Sequence, residues 1–200
     1  MKVALHACCG PCSTVALREL SQQGHDTAIF FSNSNIHPES EYLRRLDTIE
    51  AYASALGIEL VADEYSPNRW IDAVGECKEH TPERCRRCYR LRFERTADYA
   101  AKNGFEAIAT SLSVSPYQFT QVINEELAAA AERHGLVALP ADYREMYQDS
   151  VDLSREANMY RQNYCGCMYS MVEAAEERTE RRKARKAAKL AAKSAEGGEG

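Results

Sequence analysis

The sequence predicts an α/β fold built on a doubly wound, mostly parallel sheet. Three observations carry this prediction. Short apolar runs alternate with helical stretches as far as about residue 140, which is typical of βαβ units. Glycines follow several of the helical stretches and are expected to end them. A chain of 200 residues that is 44% hydrophobic also has enough apolar side chains for one core.

The first half of the chain predicts three strands, each followed by a helix. The strands are expected at Val3–Ala7, within "DTAIFFSNSNIHP", and at Ile58–Ala62. The helices are expected at Ser13–Gln23 with Ser13 or Thr14 as N-cap, over "ESEYLRRLDTIEAYASALG", and around Trp70 and Ile71. Gly24 and Gly57 end the first two helices in this interpretation.

The second half predicts a long helix, a strand, another helix and a short last strand. The long helix is expected to begin at Cys85 or Cys88 and to end at Lys102. The other three elements are expected within "FEAIATSLSVSPY", "QFTQVINEELAAAAERHG" and "LVALPADY". We expect one domain over residues 1–172, followed over residues 173–200 by a basic, Ala-rich tail that changes from helix to disorder.

Charge and hydropathy limit the possible locations and partners. The apolar run Val3–Ala7 is too short for a signal peptide, and no run reaches the ~18 residues of a membrane span. We therefore expect a cytoplasmic protein with no membrane partner. Residues 1–177 carry 17 cations and 27 carboxylates, whereas residues 178–200 carry 8 and 3. Contacts with nucleic acid must then come from local basic patches, of which the sequence offers the arginines between 84 and 95 and the tail.

Eight cysteines form close groups, which in a reducing compartment favour metal ligation or redox catalysis over structural disulfides. They are Cys8, Cys9, Cys12, Cys77, Cys85, Cys88, Cys165 and Cys167. A structural zinc on the CxxC pair and two N-terminal thiols leaves Cys12, Cys165 and Cys167 unused. If the cysteines are instead inert residues that fill the core, their close spacing in the sequence has to be a coincidence. An iron–sulfur cluster on four thiolates, with the CxC pair as a labile disulfide, uses most of them. Cys77 is given no role.

Five stretches together resemble the non-cobalamin epoxyqueuosine reductase family, of QueH type. They are "LHACCGPCS", "RCRRCYRLRFERTA", "SLSVSPYQ", "PADYRE" and "SREANMYRQNYCGCMYS", and the likeness spans roughly residues 2–172. The resemblance implies a sheet of the nucleotide-binding, PP-loop-like kind. It also implies the last step of queuosine synthesis, which is reduction of the epoxide of epoxyqueuosine at the wobble position of the tRNA anticodon.

The resemblance also implies a set of site residues. It places the ligands of a [4Fe–4S] cluster on Cys8, Cys9, Cys85 and Cys88, and a redox-active disulfide on Cys165 and Cys167. An additional adjacent iron is associated with the family, and Cys12 is the ligand we expect for it. Bases of the anticodon loop can stack on aromatic rings, so we expect Tyr117 and Tyr164 to bind substrate. We expect the same of Arg161, because its neighbours in the sequence are tied to the CxC pair. An electron donor is a further expected partner.

Two other functions fit parts of the sequence. The first is an iron–sulfur tRNA thiolase on a similar sheet, but the glycine/serine-rich phosphate loop it requires after the first strand is replaced by "HACCGPCS". The second is a zinc-stabilised RNA-binding module. The metal content of anaerobically purified protein distinguishes the reductase from this module.

Overall fold

Five parallel strands form one sheet in the order β3-β2-β1-β4-β5. The computed structural model describes residues 1–77 and 81–196, with side chains up to residue 189. The strands are β1 (Lys2–His6), β2 (Asp26–Phe31), β3 (Leu60–Ala62), β4 (Ala107–Thr110) and β5 (Val137–Ala138). All four strand pairings are parallel, with Leu5 of β1 opposite Ile29 of β2 and Ala109 of β4. The predicted fold class is confirmed.

Helices connect the strands and cover the sheet. They are α1 (Gly10–Gln22), α2 (Glu39–Leu56), α3 (Pro67–Val74), α4 (Pro82–Lys102), α5 (Thr120–Arg133), α6 (Tyr147–Glu156) and α7 (Met168–Glu196). Short 3-10 helices lie at Leu112–Val114 and Arg144–Met146. Every helix within residues 1–77 and 81–196 is too short or too polar to cross a membrane.

The sheet has an apolar layer on each face. Successive residues of a strand point to opposite faces, and β1 is buried on both. Val3 and Leu5 pack in the cluster formed with α1 and α2. Ala4 belongs to the cluster that includes Phe93 of α4 and Leu127 of α5. Because helices cover both faces of the sheet, ligands can reach it at the ends of its strands.

Two helices begin earlier than their sequences suggest. Helix α1 begins at Gly10 instead of Ser13, because Pro11 is favourable in a first turn and Ser13 Oγ donates to the Cys9 carbonyl (2.7 Å) instead of capping. Helix α4 begins at Pro82, where Thr81 is the N-cap and its hydroxyl accepts from the Arg84 amide (3.4 Å). These starts place Cys12 in the first turn of α1.

The C-terminal third holds one helix that the sequence did not reveal, α6, and the predicted tail helix, which begins earlier than expected. Helix α6 is additional, and it packs on α1, where Ser150 Oγ donates to the Pro11 carbonyl (2.8 Å). Helix α7 begins at Met168, five residues before the predicted start of the tail, and runs to Glu196 without interruption. The last four residues of the predicted tail lie outside the described residues.

Candidate metal centre

The centre lies where the strand order reverses, beside β1. Strand β1 pairs with β2 on one side and β4 on the other, and ligands of such sheets bind beyond the carboxyl ends of the strands at this point. Cys8 and Cys9 follow β1, and Ser111 follows β4. Cys8 Sγ lies 4.0 Å from Ser111 Oγ, so the two strand ends meet at one crevice.

Three thiols converge in this crevice. The sulfurs of Cys8, Cys9 and Cys12 all lie within 4.8 Å of one another, and all three residues are buried. Cys9 is the extended N-cap of α1, so Cys12 in the first turn of the helix faces back toward the adjacent pair. Gly10 allows the start of α1 to pack closely on neighbouring segments, because a Cβ there would lie 3.1 Å from both Met159 Sδ and Thr48 Cγ2. This group can bind a metal ion.

The three thiols compete for a single negative charge. Hydrogen bonds from Cys12 and Cys9 hold the pKa of Cys8 well below its usual range. The hydrogen bond from Cys12 would also lower the pKa of Cys9, but the bond to Cys8 and burial outweigh it and raise that pKa to about 12. The bonds to Cys8 and Cys9 raise the pKa of Cys12. Without a cation the group therefore favours one thiolate, and a bound metal would release the remaining protons.

The other four predicted thiols form a second group. Cys88 and Cys167 lie in one apolar cluster with Trp70 and Val74. Burial, together with the neighbouring Cys165 and Cys88, raises the pKa of Cys85 to about 12. All of the cysteines, each of which lies within the described residues, are free thiols. The structure thus brings the CxxC pair of α4 and the CxC pair together.

Arg92 connects the two thiol groups. Its side chain is only 2% exposed, and its Nη2 donates to Asn33 Oδ1 at 2.7 Å, while its Nε has no hydrogen-bond partner among the described residues. Burial would lower its pKa, but the nearby Cys88 and Cys8 raise it overall. No carboxylate of the described residues pairs with this guanidinium. The buried cation is therefore balanced by sulfur.

Two contacts join the C-terminal segment to the N-terminal turn. Gln162 Nε2 lies 2.8 Å from Cys9 Sγ, which accepts its amide hydrogen. Arg45 donates to the Cys165 carbonyl at 2.9 Å and to the Tyr164 carbonyl at 3.2 Å, and its Nε donates to Glu41 at 2.8 Å. Sequence reasoning missed Arg45 and Asn33, because an arginine in an amphipathic helix and an asparagine in a turn give no signal of burial.

The arginines of α4 form ion pairs within the protein instead of a free basic patch. Arg84 pairs with Glu173, Arg86 with Glu125 and Glu126, Arg87 with Glu83, Arg90 with Glu126, and Arg95 with Asp63. Arg92 faces the thiols instead. Most of the cations that the sequence offers beside the CxxC pair are thus already neutralised.

The residues predicted to bind substrate differ in their availability. Tyr117 is 67% exposed, and its ring meets only the edge of Tyr147 (6.4 Å between centroids). Arg161 is exposed and has no hydrogen bond or ion pair to another described residue. Tyr164 is already engaged, because its hydroxyl donates to the His37 carbonyl at 2.5 Å. Arg161 and Tyr117 therefore remain free for an external ligand.

Comparisons with known proteins agree on one family. The family model described as epoxyqueuosine reductase QueH matches residues 3–173. The proteins called epoxyqueuosine reductase QueH from Streptococcus pyogenes and Thermotoga maritima are each 34% identical to the chain. The first alignment covers 84% of the chain and 69% of the Streptococcus pyogenes protein. The second covers 88% of the chain and 93% of the Thermotoga maritima protein.

A crystal structure of a predicted tRNA methyltransferase subunit from Methanocaldococcus jannaschii has a similar fold, with a TM-score of 0.53 over 76% of each chain at 15% identity.

Proposed function

Because the chain belongs to the epoxyqueuosine reductase QueH family, we propose that it reduces epoxyqueuosine to queuosine in tRNA with a thiol-bound iron–sulfur centre at this crevice. The observation that carries the location is the buried Arg92 guanidinium, which has thiols as its charged neighbours in place of carboxylates. A buried cation requires an anion nearby. Four cysteine thiolates on a cluster supply that anion.

The donor set fits a [4Fe–4S] cluster. Such clusters are held by four cysteine thiolates, and their potential depends on hydrogen bonds to sulfur and on burial. Cys8 and Cys9 are buried beside β1, Cys88 is buried on α4, and Cys85 is half-buried. The Gln162 amide already donates to one of these sulfurs, on Cys9, and Arg92 lies beside Cys8 and Cys88. When bound, the cluster supplies one-electron transfer.

Cys12 gives the centre a third N-terminal thiol. Its sulfur lies within 4.8 Å of those of Cys8 and Cys9, which is a compact arrangement suited to a single ion. We assign Cys12 to the additional iron beside the cluster. The same compactness favours a second candidate, a zinc-stabilised RNA-binding module. Iron and sulfide in anaerobically purified protein support the reductase, whereas a colourless protein with one zinc supports the module.

Cys165 and Cys167 supply the reducing equivalents in this proposal. Loss of the epoxide oxygen as water requires two electrons and two protons. Oxidation of two thiols to one disulfide releases the same number of each. Both carbon–oxygen bonds of the epoxide break, a carbon–carbon double bond forms in the ring, and one sulfur–sulfur bond forms in the protein. An external electron donor then has to reduce the disulfide for the next turnover.

The exposed side chains near the CxC pair are assigned to the anticodon loop. Tyr117 presents a free ring on which a splayed base can stack, and Arg161 presents a free guanidinium to a phosphate. Tyr164 is bonded through its hydroxyl, and the Arg45 guanidinium lies over one face of its ring at 5.1 Å, so the other face is assigned to the substrate. These assignments place the wobble base next to the thiols.

The decisive test is direct turnover. Reduced, cluster-loaded protein is incubated with tRNA that contains epoxyqueuosine, and its nucleosides are then analysed by mass spectrometry. We expect the epoxyqueuosine signal to be replaced by a nucleoside that is lighter by one oxygen. An unchanged nucleoside from protein with a full iron content would contradict the proposal.

A further inference from the structure

Helix α7 is the longest helix among the described residues, and most of it extends beyond the part of the chain that matches the family model. The match ends at residue 173, whereas the helix continues to Glu196. The helix begins at Met168, directly after Cys167. Its 22 residues from Met168 to Lys189 span about 33 Å at 1.5 Å per residue. The helix therefore leads from the thiol site outward into solvent.

Contacts with the rest of the protein end early along this helix. Glu173 accepts from Arg84 at 2.6 Å, and Arg178 donates to the Asn163 carbonyl at 3.2 Å. Between residues 179 and 189 every side chain is exposed, and the hydrogen bonds and ion pairs described there stay within the helix or its own backbone. This part of the helix has no partner in the described structure.

Most charges on the helix are segregated by face, and Lys183 is the exception because it lies beside Glu180. Arg178, Arg182, Arg185 and Lys189 follow the spacing i, i+4, i+7, i+11, which places them on one face of a helix. We call these four residues the cationic stripe. Glu173, Glu176, Glu177 and Glu180 lie toward the opposite face at about 100° per residue. A solubilising tail does not require such segregation.

The stripe is also unneutralised, in contrast to its neighbours. Arg181 pairs with Glu177 at 2.5 Å, and Lys183 pairs with Glu180 at 2.8 Å. No carboxylate among the described residues pairs with a member of the stripe. Like charges at i,i+4, such as Arg178 and Arg182, destabilise an isolated helix. A bound polyanion would remove this repulsion.

We propose that the cationic stripe binds the phosphates of the anticodon stem of the tRNA while the wobble base occupies the thiol site. This inference rests on the proposed function, because that function defines the substrate. The wobble nucleotide lies at the tip of a hairpin whose stem carries a phosphate at every nucleotide. A straight row of positive charge that begins about 15 Å along the helix from Met168 can follow such a stem. The arginines of α4 are less suited to this role, because each of them already has a carboxylate or thiol partner.

The test compares two double variants of the full-length protein that remove the same charge. R182Q/R185Q removes two members of the stripe, and R181Q/K183Q removes two cations that are paired within the helix. Affinity for an unmodified tRNA transcript is measured between 50 and 200 mM KCl, and circular dichroism verifies equal helix content. Each lost phosphate contact lowers the slope of log K against log salt by about 0.7–0.9. We expect a decrease of about 1.4–1.8 for R182Q/R185Q and less than half of this for R181Q/K183Q.

Equal slopes for the two variants and the wild type would overturn the proposal. A second measurement separates this result from failure of the proposed function. R182Q/R185Q is expected to raise KM for whole tRNA and to leave turnover unchanged on a short anticodon-loop oligonucleotide that contains epoxyqueuosine. If the wild type reduces neither substrate, the proposed function is wrong, and the salt slopes still decide whether the stripe binds RNA.

Discussion

The guanidinium of Arg45 donates a hydrogen bond to the carbonyl of Cys165, 120 residues further along the chain, at 2.9 Å. Arg45 also pairs with Glu41. One buried side chain of α2 therefore holds the CxC segment in place.

Replacement of Arg45 by Met tests this connection. The variant leaves Glu41 buried without its cation and removes two donors from the CxC segment. Loss of one partner of a buried pair typically costs about 3–5 kcal/mol. Urea unfolding is expected to show a loss of this size. Arg44→Met is the matched control, since Arg44 is exposed and only stacks on Tyr160 at 4.2 Å. Equal stability of the two variants would show that Arg45 does not hold the segment.

Arg92→Gln tests the role of the buried countercharge. Removing a group beside the ligands typically weakens metal retention by about 10–100-fold. We expect the variant to lose its iron to a chelator correspondingly faster, with absorbance near 400 nm as the measurement. Arg95→Gln is the control, because Arg95 lies on the same helix but pairs with Asp63. This variant is expected to retain iron like the wild type. Equal retention by both variants would exclude Arg92 as the countercharge.

Gly166→Ala tests the geometry of the CxC pair. Gly166 has φ +135°, and a Cβ there would lie 3.1 Å from both Arg45 Nη1 and Ile36 Cγ1. The segment must shift, so we expect turnover to fall and the thiol–disulfide potential to change while iron content is retained. Gly104→Ala is the control, because it also has a positive φ (+71°) but no atom within 4 Å of the added Cβ. Wild-type turnover by Gly166→Ala would contradict the proposed redox role.

The ion pairs of Glu126 lead us to expect that the stability of the protein depends on pH. Burial would raise the pKa of this carboxyl, but Arg90 and Arg86 outweigh it and lower the pKa overall. A lowered folded pKa contributes stability above the unfolded value of about 4.3, and this contribution is lost as the pH falls through the folded pKa. Between pH 5 and 3 the free energy of unfolding of Glu126→Gln should therefore fall less than that of the wild type. Asp152→Asn at an exposed pair is the control, and parallel profiles would contradict this account.

Periodicity and turn residues were sufficient for the sheet and for most helices, because alternating apolar runs and helix-ending glycines are local signals. Gly57, for example, ends α2 in the left-handed conformation as expected. The predicted helix starts were less accurate. Pro11 and Thr81 start their helices before Ser13 and Cys85, where the sequence predicts the starts. Helix α6 was missed because it has few large apolar residues to mark a buried face.

Sequence reasoning likewise identified some residues of the candidate site and missed others. Close cysteine spacing identified the thiols, because metal ligation needs several donors within a few residues. Arg45, Asn33 and Gln162 could not be found, since their roles depend on contacts between segments far apart in the chain. The six arginines of α4 looked like a phosphate-binding patch in sequence, and only the fold reveals their carboxylate and thiol partners.

The most direct test of the central claim is the iron and acid-labile sulfide content of anaerobically reconstituted Cys85→Ser protein. The matched control is Cys77→Ser, because Cys77 is also half-buried but has no proposed role. We expect the wild type and Cys77→Ser to carry the iron and sulfide of a [4Fe–4S] cluster, and Cys85→Ser to lose both together with the absorbance near 400 nm. A full cluster in Cys85→Ser would contradict the claim that thiols of β1–α1 and of α4 hold one metal centre.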